Sequence, residues 1–488
     1  MKKPSLLMAV IIFAAGSCAT TGSDGRQARQ IGAIDEYGLR MEFYSLEVPA
    51  QHPEHEVSYE LVGALLRPES ERRRKSERLT VFVQGGPGEA AIGLIDALPD
   101  FFAEMAADQD VLVIDQRGAG FSGPALGDYE NHDVAISDIL RDLPEELARL
   151  VHEDGFPLEG INSREAARDI IAWADALGYE YLDLYGISYG TRIAMTAAAH
   201  YPDRVNSLIL DAPVIPEHRF YQEWPLQLAD GMDAFFASVA ERAAAGGGFS
   251  GFREEYLEAR AGFAAEPMEI PFRHPAFPEV EAIEVDDKVL DMMVFTGLYQ
   301  SLLIPYMPRV LRGVFEGSLQ RRQSLGLVAQ LLIGNTYHGT MLYHLWIFND
   351  TGSNIDWEAF AADIEAIEDR YPGLAYIKAN FMAFQQEIAA SGLIAETAPE
   401  VHPLPPADMP VLILAGELDP AVSARDAEAL HAALPESSYV MVPQAGHGVA
   451  YIYTALPQAL RLFLADPDNR QYLDELRELQ APGYLRIF

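Results

Sequence analysis

The stretch YLDLYGISYGTRIAMTAAAH, Tyr181 to His200, decides how the rest of this sequence is read. Tyr181 to Tyr185 is short and apolar, as a buried strand is, and Thr191 to His200 is a run of helix formers. Between them stands Gly186-Ile187-Ser188-Tyr189-Gly190. One explanation is plain: a tight turn uses glycine, and a serine at a helix start caps it. The same pattern also describes a nucleophile elbow. There a strand turns into a helix so sharply that neighbours with side chains would collide, and the serine is lifted to the carboxyl end of a sheet. The helix then points its first N–H groups at developing negative charge. The choice depends on whether the chain also supplies a base, an acid and an oxyanion hole.

Outward from this stretch, strand-like and helical runs alternate. Leu79 to Val83, Asp110 to Ile114, Ser207 to Leu210, Val411 to Ala415 and Tyr439 to Val442 are apolar in the way of buried parallel strands. Leu39 to Val48 and Val57 to Leu66 alternate more, as antiparallel strands near an edge do. Helical runs separate them at Ser163 to Leu177, Ala421 to Ala433 and Ala455 to Leu464, the first with a capping pattern over Asn162 to Glu165. This rhythm predicts an α/β fold with a mostly parallel, doubly wound sheet. From about Pro216 to Pro405 the rhythm stops. Aromatic and helical segments, such as Gly231 to Ala245 and Trp357 to Ile367, predict a mostly helical insertion over the sheet. The expected organisation is a core in two parts, residues 31–215 and 406–488, interrupted by a cap at 216–405.

The front end reads differently. Lys2 and Lys3 precede an apolar run from Ser5 to Ala15, which has the length of a signal peptide and is too short to span a bilayer. It leads into Ala15-Gly16-Ser17-Cys18, which resembles a bacterial lipobox, where the cysteine is acylated and becomes the new N-terminus. The expectation is a signal peptide at 1–17, a flexible tether at 18–30 and an exported protein. It is either a lipoprotein anchored through Cys18, at the periplasmic face of an outer membrane, or a periplasmic or secreted protein. Cys18 is the only cysteine, so an intrachain disulfide is impossible. The chain carries 35 Lys and Arg against 73 Asp and Glu, a net charge of −38. That argues against nucleic acid as a partner and against binding anionic lipid through a basic face. It would attract cationic substrates at long range.

A serine hydroxyl needs a base, and the base needs an acid to hold its tautomer; in this type of fold the chain order is Ser, acid, His. The run Val411 to Ala415 delivers Gly416-Glu417-Leu418-Asp419-Pro420, and the next delivers Gln444-Ala445-Gly446-His447-Gly448. Of twelve histidines, His447 alone combines a strand-end position with flanking glycines. Asp419 is the expected acid, with Glu417 as its rival. For the oxyanion, one backbone donor is expected at Tyr189. The other should come from Gln84-Gly85-Gly86-Pro87-Gly88 after Leu79 to Val83, with Gly86 favoured.

Three motifs together, Gly85-Gly86-Pro87-Gly88, Asp115-Gln116-Arg117-Gly118-Ala119-Gly120-Phe121-Ser122 and Gly186-Ile187-Ser188-Tyr189-Gly190-Thr191, resemble the prolyl iminopeptidase and tripeptidyl aminopeptidase family of α/β-hydrolase serine peptidases. The resemblance covers roughly residues 75 to 215 and 405 to 450. Tyr189 matches the tripeptidyl branch, where the iminopeptidase branch usually carries Trp; Gln84 stands where a histidine is common. The resemblance implies an aminopeptidase working through an acyl-enzyme on Ser188, with no metal or cofactor. A carboxylesterase acting on small acyl esters, or a catalytically silent surface lipoprotein on the same fold, are the alternatives. An exopeptidase must also hold a substrate ammonium, and in the family acidic residues of the cap do so. Asp350, ending an aromatic run from Met341, and Glu223 are the expected substrate-binding residues. The Asp115 to Ser122 segment is expected to be scaffold.

Overall fold

The computed structural model describes residues 19–21, 27–51, 56–68, 77–123, 136–153, 155–215, 219–271, 281–316, 340–351, 355–394, 404–449, 456–468 and 470–479. Cys18 and the expected signal peptide lie outside the described residues.

Among the described residues, ten strands form one sheet. In chain order they are β1 (Ala19–Thr21), β2 (Gln27–Glu36), β3 (Leu39–Pro49), β4 (Ser58–Pro68), β5 (Arg78–Val83), β6 (Asp110–Ile114), β7 (Tyr181–Ile187), β8 (Val205–Asp211), β11 (Val411–Gly416) and β12 (Ser438–Val442). β9 (Met268–Pro271) and β10 (Ala282–Val285) form a separate antiparallel pair inside the cap. The order across the large sheet is β1-β2-β3-β4-β6-β5-β7-β8-β11-β12. β1 to β4 run antiparallel and meet β6 antiparallel, whereas β6, β5, β7, β8, β11 and β12 are parallel.

The parallel strands are buried on both faces because alternate residues feed two cores. Val81, Val83, Leu184 and Leu210 join Trp173 and Ile193 on one side. Phe82, Val113, Tyr185 and Leu414 join Phe102 and Phe463 on the other. Helices Ser163–Leu177 and Tyr189–His200 thus lie on the first face, and Pro99–Met105 and Leu456–Ala465 on the second. Asn162 caps the first of these as expected, its side-chain oxygen accepting from Glu165 N at 2.8 Å.

Two expectations change. The ordered sheet begins inside the stretch read as a tether: β1 pairs with β2, and β2 starts at Gln27. β2 joins β3 through Tyr37 and Gly38, both at positive φ, which is the backbone of a tight hairpin turn. The insertion is largely helical, with helices that include Trp224–Ala244, Asp287–Tyr299, Thr340–Thr351 and Pro372–Ser391, but it also holds the β9–β10 pair.

Candidate active site

Ser188 sits between β7 and helix Tyr189–His200 with φ 53° and ψ −125°. For a residue with a side chain this backbone costs about 1–3 kcal/mol and persists only where its surroundings fix it. They do so here. Ser188 N donates to Asp211 O at 2.8 Å, and Thr191 Oγ1 donates to Ser188 O at 2.5 Å while accepting from Val214 N at 2.9 Å. The flanking glycines are steric necessities: a Cβ on Gly190 would lie 2.1 Å from Val83 O, and one on Gly186 2.5 Å from Gly190 O. The elbow reading holds over the plain turn.

The Gln84–Gly88 loop leaves β5, which is hydrogen-bonded beside β7 with Val83 opposite Gly186. A Cβ on Gly85 would lie 2.7 Å from Ser188 Cβ, so this loop faces the serine at contact distance. The Asp115–Ser122 segment braces it, as expected of scaffold. Asp115 Oδ1 accepts from Ala91 N and Ile92 N at 2.7 and 2.9 Å, and Gln116 Nε2 donates to Gln84 O. Arg117 is fully buried in a bidentate pair with Asp169.

β11 and β12 deliver the other two groups. His447 Nδ1 lies 2.9 Å from Asp419 Oδ2 and 3.0 Å from Oδ1. Asp419 Oδ1 also accepts from Ala421 N and Val422 N, at 2.8 and 2.9 Å, which holds the carboxylate in place. With Nδ1–H donated to Asp419, Nε2 is the nitrogen left to take a proton. Burial lowers the His447 pKa, but the charge and hydrogen bond of Asp419, together with the charges of Asp211 and Glu89, outweigh it and leave the pKa raised. Glu417 is not the acid: its Oε2 accepts from Gln444 N at 2.8 Å.

Asp211, at the end of β8, was not singled out by the sequence. It ties the site together, its main-chain oxygen taking Ser188 N and its Oδ1 taking Val449 N at 2.9 Å, two residues past His447. Its place at the carboxyl end of a buried strand was the available signal.

The cap closes on every one of these loops. Trp224 Nε1 donates to Ala421 O at 3.3 Å beside the acid. Tyr299 stacks edge-on to His447 with ring centres 4.8 Å apart, and Ser301 Oγ accepts from Gly446 N at 2.6 Å. Helix Thr340–Thr351 meets the elbow, with Trp346 edge-on to Tyr189 at 5.8 Å.

The substrate-anchor expectations fare worse. Asp350 is buried, and its oxygens are committed within the protein: Tyr189 OH donates to Oδ2, Ser163 N donates to Oδ1 at 3.1 Å, and Arg192 Nε lies 3.8 Å from Oδ2. The aromatic run that suggested a substrate helix instead seats this carboxylate under the elbow, so it is a structural group and not an ammonium anchor. Glu223 stands half-buried at the N-cap position of helix Trp224–Ala244, its side chain making no capping hydrogen bond, and its charge bears on Asp363 of the cap.

A serine on a strained elbow, a histidine paired with a carboxylate on later strand ends, and helices on both faces of a mostly parallel sheet make up the α/β-hydrolase fold, with Ser188 at the position of its nucleophile. The comparisons agree with that class. The alpha/beta hydrolase fold family model matches residues 80–250, and that for TAP-like proteins matches residues 389–471. The chain has the α/β-hydrolase fold. It is similar to the serine protease Hip1 of Mycobacterium tuberculosis, 32% identical over 27% of this chain and 28% of that protein. It is similar also to the tripeptidyl aminopeptidase of Streptomyces coelicolor, 25% identical over 30% of each, and to the putative hydrolase YuaR of Escherichia coli, 26% identical over 29% of each. The chain thus matches under a third of the length of these relatives.

Proposed function

We propose that the protein is a serine aminopeptidase that releases N-terminal amino acids or short peptides through an acyl-enzyme on Ser188. The observation that carries this reading is the elbow serine held by Asp211, whose carboxylate also holds the loop of an Asp419-paired His447. Ser188 Oγ attacks the scissile carbonyl as His447 Nε2 takes its proton, and Asp419 steadies the imidazolium. Tyr189 N–H and Gly86 N–H stabilise the oxyanion. His447 then protonates the leaving amine, and a water deprotonated by His447 releases the acyl group. The similarity to a serine protease and to a tripeptidyl aminopeptidase favours peptides over esters as the substrate class.

Amino-acid and tripeptide arylamides assayed beside short acyl esters, with Ser188→Ala as blank, test this. Turnover of arylamides with a free amino group supports the reading. Turnover of esters alone would make the protein a carboxylesterase. No turnover of either would return it to a silent surface protein. We propose further that the protein is exported and anchored through lipid on Cys18, supported by the basic start, the apolar run and the small residues before the cysteine.

A further inference from the structure

Asp350, one of the two carboxylates expected to bind an ammonium, is buried and its oxygens are taken by Tyr189 and Ser163. Resting on the aminopeptidase reading, we propose that Glu89 is the residue that selects substrates with a free α-ammonium, by setting its carboxylate beside the oxyanion loop.

Glu89 is exposed and follows Gly85-Gly86-Pro87-Gly88 directly. Its side chain folds back over that loop: a Cβ on Gly86 would lie 3.0 Å from Glu89 Cγ. Gln84 Nε2 donates to Glu89 Oε2 at 2.9 Å, and Glu89 N donates to Gly85 O at 3.4 Å, so the carboxylate is positioned by the loop that meets Ser188. On the other side stands the cap. Leu342 of helix Thr340–Thr351 would lie 2.8 Å from a Cβ on Gly88, which brings that helix down beside Glu89. The charge of Glu89 bears at once on His447, on Tyr299 and on the next cap residue, Tyr343. The carboxylate is thus tied by Gln84 to the loop that meets Ser188, one residue from Gly88, where Leu342 of the cap comes down.

A fixed anion there has the wrong sign for the chemistry, because an acyl transfer builds negative charge on the carbonyl oxygen in the same place. For a neutral substrate Glu89 is a handicap. A substrate that brings an ammonium cancels the repulsion and gains a charge-assisted hydrogen bond. One carboxylate so placed both rewards the free amine and penalises the blocked one, which is how specificity is usually divided.

Matched peptide arylamides, free and N-acetylated, and a neutral short-chain ester are assayed with wild type, Glu89→Gln and Glu89→Asp. Circular dichroism reports folding. Glu89→Gln should lose about 10- to 100-fold in kcat/KM on the free peptide, the scale of one hydrogen bond to a charged group. It should hold or gain on the acetylated peptide and the ester. Glu89→Asp, which keeps the charge, should recover most of the preference. A wild-type preference for the free amine that survives in Glu89→Gln, an equal loss on all three substrates, or a Glu89→Asp as indifferent as Glu89→Gln would each overturn the assignment while leaving the aminopeptidase reading standing. A wild type indifferent to acetylation would overturn both.

Discussion

At the scale of single residues the proposed chemistry rests on how Ser188, His447 and Asp419 are held. Ser188→Ala and His447→Ala should each lower turnover by roughly 10⁴-fold or more with the fold retained, as circular dichroism and arylamide kinetics would show. Asp419→Asn should do comparable damage, since an amide in its place favours the wrong imidazole tautomer. Because Glu417 is taken by Gln444 N, Glu417→Gln should stay within a few-fold of wild type; a dead Glu417→Gln beside an active Asp419→Asn would reverse the acid assignment. The pH profile has a definite sign. His447 must be neutral to accept the proton, and its pKa is raised above the ordinary 6.5. Activity should therefore fall as pH drops through a midpoint above 6.5, and be full on the alkaline side. An acid limb centred well below 6.5 would contradict the partnership with Asp419. The elbow and the His447 loop were legible in the sequence because glycine punctuates a strand end wherever backbone must pass close to backbone, at Gly186 and Gly190 as at Gly446. Glu89 was not, because a lone exposed acid in a chain with 73 of them carries no pattern, and only the structure shows its side chain folded back onto Gln84 and Gly86.

At the scale of elements, helix Tyr189–His200 joins the elbow to the cap. Arg192, one turn past Ser188, is fully buried, its guanidinium makes no hydrogen bond, and Asp350 at 3.8 Å is its ion-pair partner. Asp350→Ala should therefore cost about 3 kcal/mol or more in urea unfolding, the scale for leaving a buried charge without its partner. Its effect on kcat/KM should be the same for free and blocked substrates; a loss confined to free amines would restore it as an anchor. The strands were legible because burial on both faces demands unbroken apolar runs, and β5, β6, β7 and β11 lie within about two residues of where those runs end. β2 was missed because Gln27 to Glu36 is mostly half-exposed and its apolar residues do not alternate. The role of helix Thr340–Thr351 was misread for a related reason. An aromatic run marks burial, and burial alone does not tell a substrate wall from a floor beneath the elbow.

At the scale of the molecule, a sheet with its site at the carboxyl ends of its parallel strands and a cap resting on each catalytic loop makes access a property of both parts. The net charge of −38 would gather cations around that site, in the same direction as the proposed role of Glu89. The lipid proposal is tested in a bacterial host by membrane fractionation and detergent phase partition. Wild type should follow the membrane, and Cys18→Ser should be released; wild type found wholly soluble, with its N-terminus beyond Cys18, would end it. The central claim is that this architecture makes Ser188 a nucleophile, and active-site labelling tests it most directly. After treatment with a fluorophosphonate, peptide mass spectrometry should find one adduct, on Ser188, absent in Ser188→Ala and strongly reduced in His447→Ala. An unlabelled wild type, or an adduct on another residue that persists in Ser188→Ala, would contradict the account.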